Sequence, residues 1–192
     1  VATGTSEGEV RIWDIRKTDS CLTQLDLFRT ERGNDSKVVN KSRKVGIVKS
    51  NVKAHSHEVN GLCWSENGKT LITTGHDEKI RVWDLNDPQG VNTLLNFGPF
   101  IKNRFSSYKS IILSPIRETE IQYIWYPSDN GEVLVFRLQD GKLVAKLRKS
   151  LQENSRSCCI AYRGDNSGTY FSGTVDGKIN VWGPKDEDIE YT

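Results

Sequence analysis

The stretch from Ala54 to Leu85, AHSHEVNGLCWSENGKTLITTGHDEKIRVWDL, constrains this chain more than any other. Val59 to Trp64, Thr70 to Thr73 and Ile80 to Leu85 are short runs rich in apolar and β-branched residues, separated by Glu66-Asn67-Gly68 and His76-Asp77-Glu78. Runs of this length divided by turn residues predict an antiparallel meander, with Asn67-Gly68 supplying the positive φ angles of a two-residue hairpin. A single small sheet of this kind cannot bury both of its faces, so further copies are required.

Copies are present, with a shared internal spacing. Six residues before Trp83 stands Asp77, and four before that Thr73; the same spacing from Trp182 meets Asp176 and Ser172, and from Trp13 it meets Glu7 and Thr3. A fourth segment, GEVLVFRL, has the right hydrophobicity, but Phe136 replaces the Trp and Asn130 the acid, which makes it a degenerate copy. The aromatics at 13, 83, 136 and 182 are 70, 53 and 46 residues apart. Only the last separation is close to the roughly 40 to 45 residues of a propeller repeat, so the first two are expected to hold insertions.

The central stretch opens on Ala54-His55 and closes on Trp83-Asp84, and here it resembles the WD-repeat family. That resemblance implies an all-β fold, a β-propeller of which this chain holds about three complete or near-complete blades and part of a fourth, out of a probable seven. Blades are expected near 1–27, 54–97, 105–148 and 155–182, with a long polar insertion over 28–53 and the start of an acidic tail at 183–192. A propeller needs about four to eight four-stranded blades, and the sequence contains no Met and begins at Val1 inside an apparent strand. The expectation is therefore the later half of a longer propeller, with blades missing on the N-terminal side. In the first blade, Val1 to Gly4 and Glu9 to Ile15 are expected strands, with Trp13 and Ile15 serving the two faces, and Cys21 to Leu25 an outer strand.

In such repeats a His, a hydroxyl residue, an Asp and a Trp form a hydrogen-bonded set. The match here is His55, Thr73, Asp77 and Trp83, with partial sets Thr3, Glu7, Trp13 and Ser172, Asp176, Trp182. A His, an acid and a hydroxyl superficially resemble a hydrolase triad. Recurrence of the set along the chain argues for a structural lock, because a catalytic centre is not normally repeated blade by blade. His55, His57, Cys63 and His76 lack recognisable zinc spacing, and no phosphate loop, nucleophile elbow or HExxH occurs. No catalytic residue, metal or cofactor is expected.

Charge and cysteine usage restrict partners. The formal net charge is +2 with acids and bases interspersed, which is not the footprint of a dedicated nucleic-acid binder. No apolar run reaches the roughly 18 residues of a membrane span. Cys21, Cys63, Cys158 and Cys159 have no CxxC spacing and read as reduced thiols of the nucleus or cytosol. The cluster Lys41, Arg43, Lys44 and Lys49 lies in the polar insertion, where a solvated loop is the plain reading and an acidic partner or a targeting signal the alternative.

CLTQLD after the first Trp-Asp, AHSHEVNGLCW, LITTGHDEKIRVWDL, NTLLNFG and Cys158-Cys159 follow in the order found in the later half of the Cockayne syndrome A family, which the chain resembles over roughly residues 1 to 182. The resemblance implies a nuclear, non-catalytic substrate receptor of a cullin-RING ubiquitin ligase in transcription-coupled nucleotide excision repair. Its implied partners are the ligase's adaptor propeller protein and cullin-RING complex, with stalled RNA polymerase and repair factors. Trp13-Asp14-Ile15-Arg16 matches the WDxR box of propellers that dock on that adaptor, which makes Trp13, Asp14 and Arg16 the candidate partner-binding residues. Trp83-Asp84-Leu85-Asn86 lacks the Arg. The other reading is a structural WD-repeat scaffold in an unrelated complex, of RNA processing or a vesicle coat.

Overall fold

The computed structural model describes residues 1–17, 19–30, 52–149, 155–165 and 167–184. They form four antiparallel meanders in two compact units, Val1–Tyr108 and Lys109–Thr192. The basic cluster at 41–49 and the acidic tail from residue 185 onward lie outside the described residues.

In the first unit, β1 (Ala2–Gly4), β2 (Val10–Ile12) and β3 (Thr23–Gln24) pair in that order. The second sheet is β4 (Val59–Trp64), β5 (Thr70–Gly75), β6 (Lys79–Asp84) and β7 (Val91–Asn92), again in sequence order. In the second unit, β8 (Ile112–Leu113), β9 (Tyr123–Pro127), β10 (Val133–Arg137) and β11 (Leu143–Leu147) form a four-stranded sheet. Beside it in the chain, β12 (Ser157–Tyr162), β13 (Tyr170–Thr174) and β14 (Ile179–Trp182) form a three-stranded one.

One turn recurs in all four sheets. The carbonyls of Thr5, Gly75, Ser128 and Thr174 accept hydrogen bonds from the amides three residues on, at Gly8, Glu78, Gly131 and Gly177. Each of those acceptor turns closes on a left-handed residue, with φ of 85°, 55°, 80° and 83°. Glycine takes that conformation without steric cost, and Glu78 is the exception. Gly8 is further restricted by its surroundings. A Cβ there would lie 2.1 Å from the His55 carbonyl oxygen, and the Gly8 carbonyl accepts the amides of Ala54 and His55 at 3.0 and 2.9 Å.

These bonds seat the entry to the second sheet on the first. Between the two sheets Val10, Ile12, Leu25, Ala54, Leu71 and Trp83 form a buried core, with Val59, Leu62 and Trp64 packed against it. Each fully buried Leu or Val there contributes about 1.5–3 kcal/mol. The opposite face of the second sheet buries Ile72, Ile80 and Val82. Within the second unit, Trp125 of β9 stacks on Tyr170 of β13, with ring centroids 3.9 Å apart.

Several expectations are corrected. Asn67 does not take a positive φ; only Gly68 does, and the connection is a longer loop closed by Ser65 N–H to Thr70 O at 2.9 Å, with Asn67 Oδ1 accepting Ser65 Oγ–H and Lys69 N–H. The third strand of the first sheet stops at Ile12, so Ile15 does not serve a sheet face and is 76% exposed. The outer strand expected over Cys21 to Leu25 is confined to Thr23–Gln24. The degenerate sheet begins with only Ile112–Leu113 rather than a strand from Tyr108. The ends of the polar insertion are held: Thr30 bridges Asn92, and Lys53 O accepts the Leu27 amide at 3.0 Å.

Candidate functional site

β5 carries Thr73 into the interior and β6 brings Trp83 beside it, because Leu71 pairs with Trp83 and Thr73 with Arg81 across the ladder. Trp83 Nε1–H donates to Thr73 Oγ1 at 3.0 Å, and Thr73 Oγ1 lies 2.7 Å from His55 Nε2. His55 Nδ1 lies 2.9 Å from Asp77 Oδ1. One consistent proton arrangement follows: the indole donates to the hydroxyl, the hydroxyl to Nε2, and Nδ1–H to the carboxylate. The structure thus brings together His55, Thr73, Asp77 and Trp83.

Two further residues complete the set, and the spacing of motifs did not single them out. Arg81 Nη1 donates to Asp77 Oδ2 at 2.8 Å and lies 2.6 Å from His55 Nδ1. Its position, four residues after Asp77, was the available signal. Gly75 leaves the room the ring needs, since a Cβ there would stand 2.4 Å from His55 Nδ1 and 2.8 Å from Asp77 Oδ1.

Burial pushes the His55 imidazole below its ordinary value, and this outweighs the pull of Asp77 towards the charged form. Burial alone would raise the Asp77 carboxyl; the hydrogen bond from His55 and the Arg81 guanidinium prevail and hold it well below the usual carboxylate range. Arg81 supplies the counter-charge, so His55 stays neutral. His55, Thr73 and Trp83 are each 0% exposed. A hydroxyl bonded on both sides and sealed from solvent cannot meet a substrate, and the arrangement does the work of a lock rather than of a nucleophile.

The partial sets differ. In the first sheet Trp13 Nε1–H donates to Thr3 Oγ1 at 2.8 Å. Glu7 is not joined to that pair; its nearest charged partner is Lys53 at 3.9 Å, with the Glu7 side chain 77% exposed. In the last sheet Trp182 Nε1–H donates to Ser172 Oγ at 2.9 Å. Asp176 is held instead by the hydroxyls of Thr174 and Ser155. Thr174 first and Ser155 second lower its carboxyl to about 2. With no imidazole to span the gap, Asp176 and Ser172 remain separate.

The degenerate sheet has its own solution. Lys109, just before β8, forms an ion pair with Asp129, and the two side chains are 0% and 1% exposed. The spacing from Phe136 had pointed to Asn130, but the acid that is used precedes it by one residue. Burial pulls the Lys109 amine down, and the Asp129 carboxylate opposes it. Tyr126 stands at the position of Thr73 and is buried.

At the end of β2 the candidate docking box is folded on itself. Arg16 Nε and Nη2 donate to Asp14 Oδ1 and Oδ2 at 2.9 and 2.8 Å, and the Arg16 amide also donates to Oδ1 at 3.0 Å. These side-chain and backbone bonds bring the Asp14 carboxyl to about 2. The Arg16 side chain is 85% exposed, so its remaining N–H groups face solvent. After β6, Asp84 accepts from Asn86 in the same way, but presents an amide in place of a cation. Among the described residues, no group of three or more His, Cys, Asp and Glu side chains is placed to hold a metal ion.

Comparison with known proteins gives these features a context. Residues 46–84 match the family model described as WD domain, G-beta repeat. The chain carries a WD repeat. Radiation-sensitive protein 28 of Saccharomyces cerevisiae is 24% identical, over 83% of this chain and 33% of its own length. WD repeat-containing protein ATCSA-1 of Arabidopsis thaliana is 25% identical, over 95% of this chain and 49% of its own. The chain therefore spans between 33% and 49% of these relatives. Among solved structures, the computationally designed Ika4 protein matches with a TM-score of 0.56 and 17% identity, covering 95% of this chain and 83% of that one. At that identity the likeness is one of fold. The WD repeat and the recurring meanders make the fold class all-β, with each unit built from two propeller-type blades.

Proposed function

We propose that this WD-repeat protein-interaction domain belongs to a non-catalytic substrate receptor of a cullin-RING ubiquitin ligase, acting in the nucleus in transcription-coupled nucleotide excision repair. The observation that carries the reading is similarity, over 83% and 95% of the chain, to a yeast protein named for radiation sensitivity and to the Arabidopsis protein ATCSA-1. The order of motifs shared with the Cockayne syndrome A family supports it. The Asp14–Arg16 pair adds a docking element of suitable chemistry: a preorganised guanidinium at a strand end, exposed at the surface and with little part in the core. In this reading the blades hold partners and the His55 set holds the blade.

Affinity purification of the full-length protein from cells with damaged, transcribing DNA tests the reading. Recovery of a cullin, its propeller adaptor and RNA polymerase is the expected result. Recovery of splicing or coat subunits in their place, with no cullin or adaptor, would overturn it in favour of a structural scaffold.

A further inference from the structure

The second unit contains a groove of about 480 Å³ on one face of the β8–β11 sheet, closed on its far side by Gly168 and Tyr170. Its floor follows from strand geometry. Tyr123 and Trp125 are two apart on β9 and share a face, Val135 lies opposite Trp125 on β10, and Ala145 lies opposite Val135 on β11. A second cavity of about 270 Å³ shares Trp125, Leu147 and Gly168 with the first, so the two adjoin. An apolar floor spread over three strands, with a second cavity beside it, suits an extended chain segment better than a compact metabolite.

Charge is distributed unevenly around this apolar floor. Among the described residues, Glu118 is the one charged side chain that lines either cavity. The Tyr170 hydroxyl donates to Glu118 Oε2 at 3.2 Å and fixes the carboxylate at the groove wall with one of its two oxygens. Burial first, and the Glu118 charge second, push that phenol far above its ordinary value, so it remains a donor. The stack of Trp125 on Tyr170 covers one face of the indole and fixes it as part of the apolar floor.

We propose that this groove docks an extended segment of a partner protein bearing one lysine or arginine side chain, its methylene stem on the apolar floor and its cationic head on the Glu118 carboxylate. A carboxylate on the groove wall offers a cation an ion pair with charge-assisted hydrogen bonds. A long basic side chain is the guest with both an apolar stem and a charged tip. An uncharged apolar guest would desolvate Glu118 without replacing its solvation, and an acidic guest would meet a like charge. The inference stands apart from the ubiquitylation reading, because it concerns the surface chemistry of one unit.

Four seven-residue glycine-alanine peptides, with a central arginine, lysine, norleucine or glutamate, test it by calorimetric titration into the 192-residue chain carrying Ile179→Lys, a change at an exposed residue outside the lining of the groove. The arginine and lysine peptides bind at least about tenfold more tightly than the norleucine and glutamate ones. Glu118→Gln, which still accepts the Tyr170 hydrogen bond, brings the basic peptides down to the norleucine level. Val144→Arg, at a position 51% exposed on the groove edge, places a cation of the chain's own there and removes binding. Equal affinity for arginine and norleucine, unchanged affinity in Glu118→Gln, or no binding of the basic peptides at millimolar concentration overturns the proposal. So does concentration-dependent self-association that Val144→Arg abolishes, since the occupant would then be a second copy of the chain.

Discussion

Asp77 accepts from a neutral imidazole on one oxygen and from a guanidinium on the other, and its removal strands both. Each buried group left without its partner costs about 1–3 kcal/mol. Asp77→Ala is accordingly expected to lower the unfolding free energy by at least that much, seen as a lower denaturation midpoint, and an unchanged midpoint would remove the lock from the account. The same set makes stability sensitive to acid. His55 has a folded pKa below its ordinary 6.5, so as pH falls through 6.5 the unfolded chain takes up a proton that the folded chain refuses. Stability is full above that value and declines below it, by at most about 1.4 kcal/mol per pH unit. Urea midpoints at pH 7.5 and 5.5 should differ in the wild type, and most of the difference should vanish in His55→Gln; a difference of equal size in the variant would contradict the assignment. At this scale the sequence was readable where a motif is periodic. The indole-to-hydroxyl spacing of ten residues is used three times, at Trp13, Trp83 and Trp182. It was unreadable where a contact depends on the missing side chain of Gly75, or on a guanidinium reaching across a turn.

Among the elements, the blade centred on β4–β7 was legible nearly residue by residue, since its apolar runs, turn residues and ladder coincide. The neighbouring sheets were less so. Glu7 has the spacing of Asp77, but no imidazole stands between it and Thr3, and spacing alone does not supply one. In the β8–β11 sheet the reverse occurred, because Lys109 and Asp129 lie outside the Trp-based count and carry no family signature. Their ion pair is buried, and removing one partner leaves a charge without compensation at a cost of about 3–5 kcal/mol. Lys109→Ala is therefore expected to unfold the second unit several degrees earlier in a thermal scan. Replacing both residues, as Lys109→Met with Asp129→Leu, should recover most of the loss. A double variant no better than the single one would show that the charges, rather than their mutual compensation, are what the fold requires.

For the molecule as a whole, the comparison of equivalent blade faces is the informative one. Ile80 and Val82 of β6 are 3% and 4% exposed, whereas Ile179 and Val181, which hold the same register against β13, are 71% and 60% exposed. Among the described residues, β14 has a partner on one side only within its sheet, so an apolar face adjoins an edge with no described partner. Such a combination favours association. Sedimentation of the 192-residue chain should show self-association that weakens in Ile179→Lys, and a compact monomer at micromolar concentration in the wild type would contradict this. The docking box is a separate feature of the first unit, just after β2. The central claim is that the chain acts by holding partners, with Arg16 as an anchor. The most direct test is affinity of purified full-length protein for the ligase adaptor, compared between wild type and Arg16→Ala with folding checked by circular dichroism. An interface anchor of this kind contributes about 2 kcal/mol or more, so binding should weaken about thirtyfold with the fold intact; equal affinity would return the Asp14–Arg16 pair to an ornament of the turn and contradict the account.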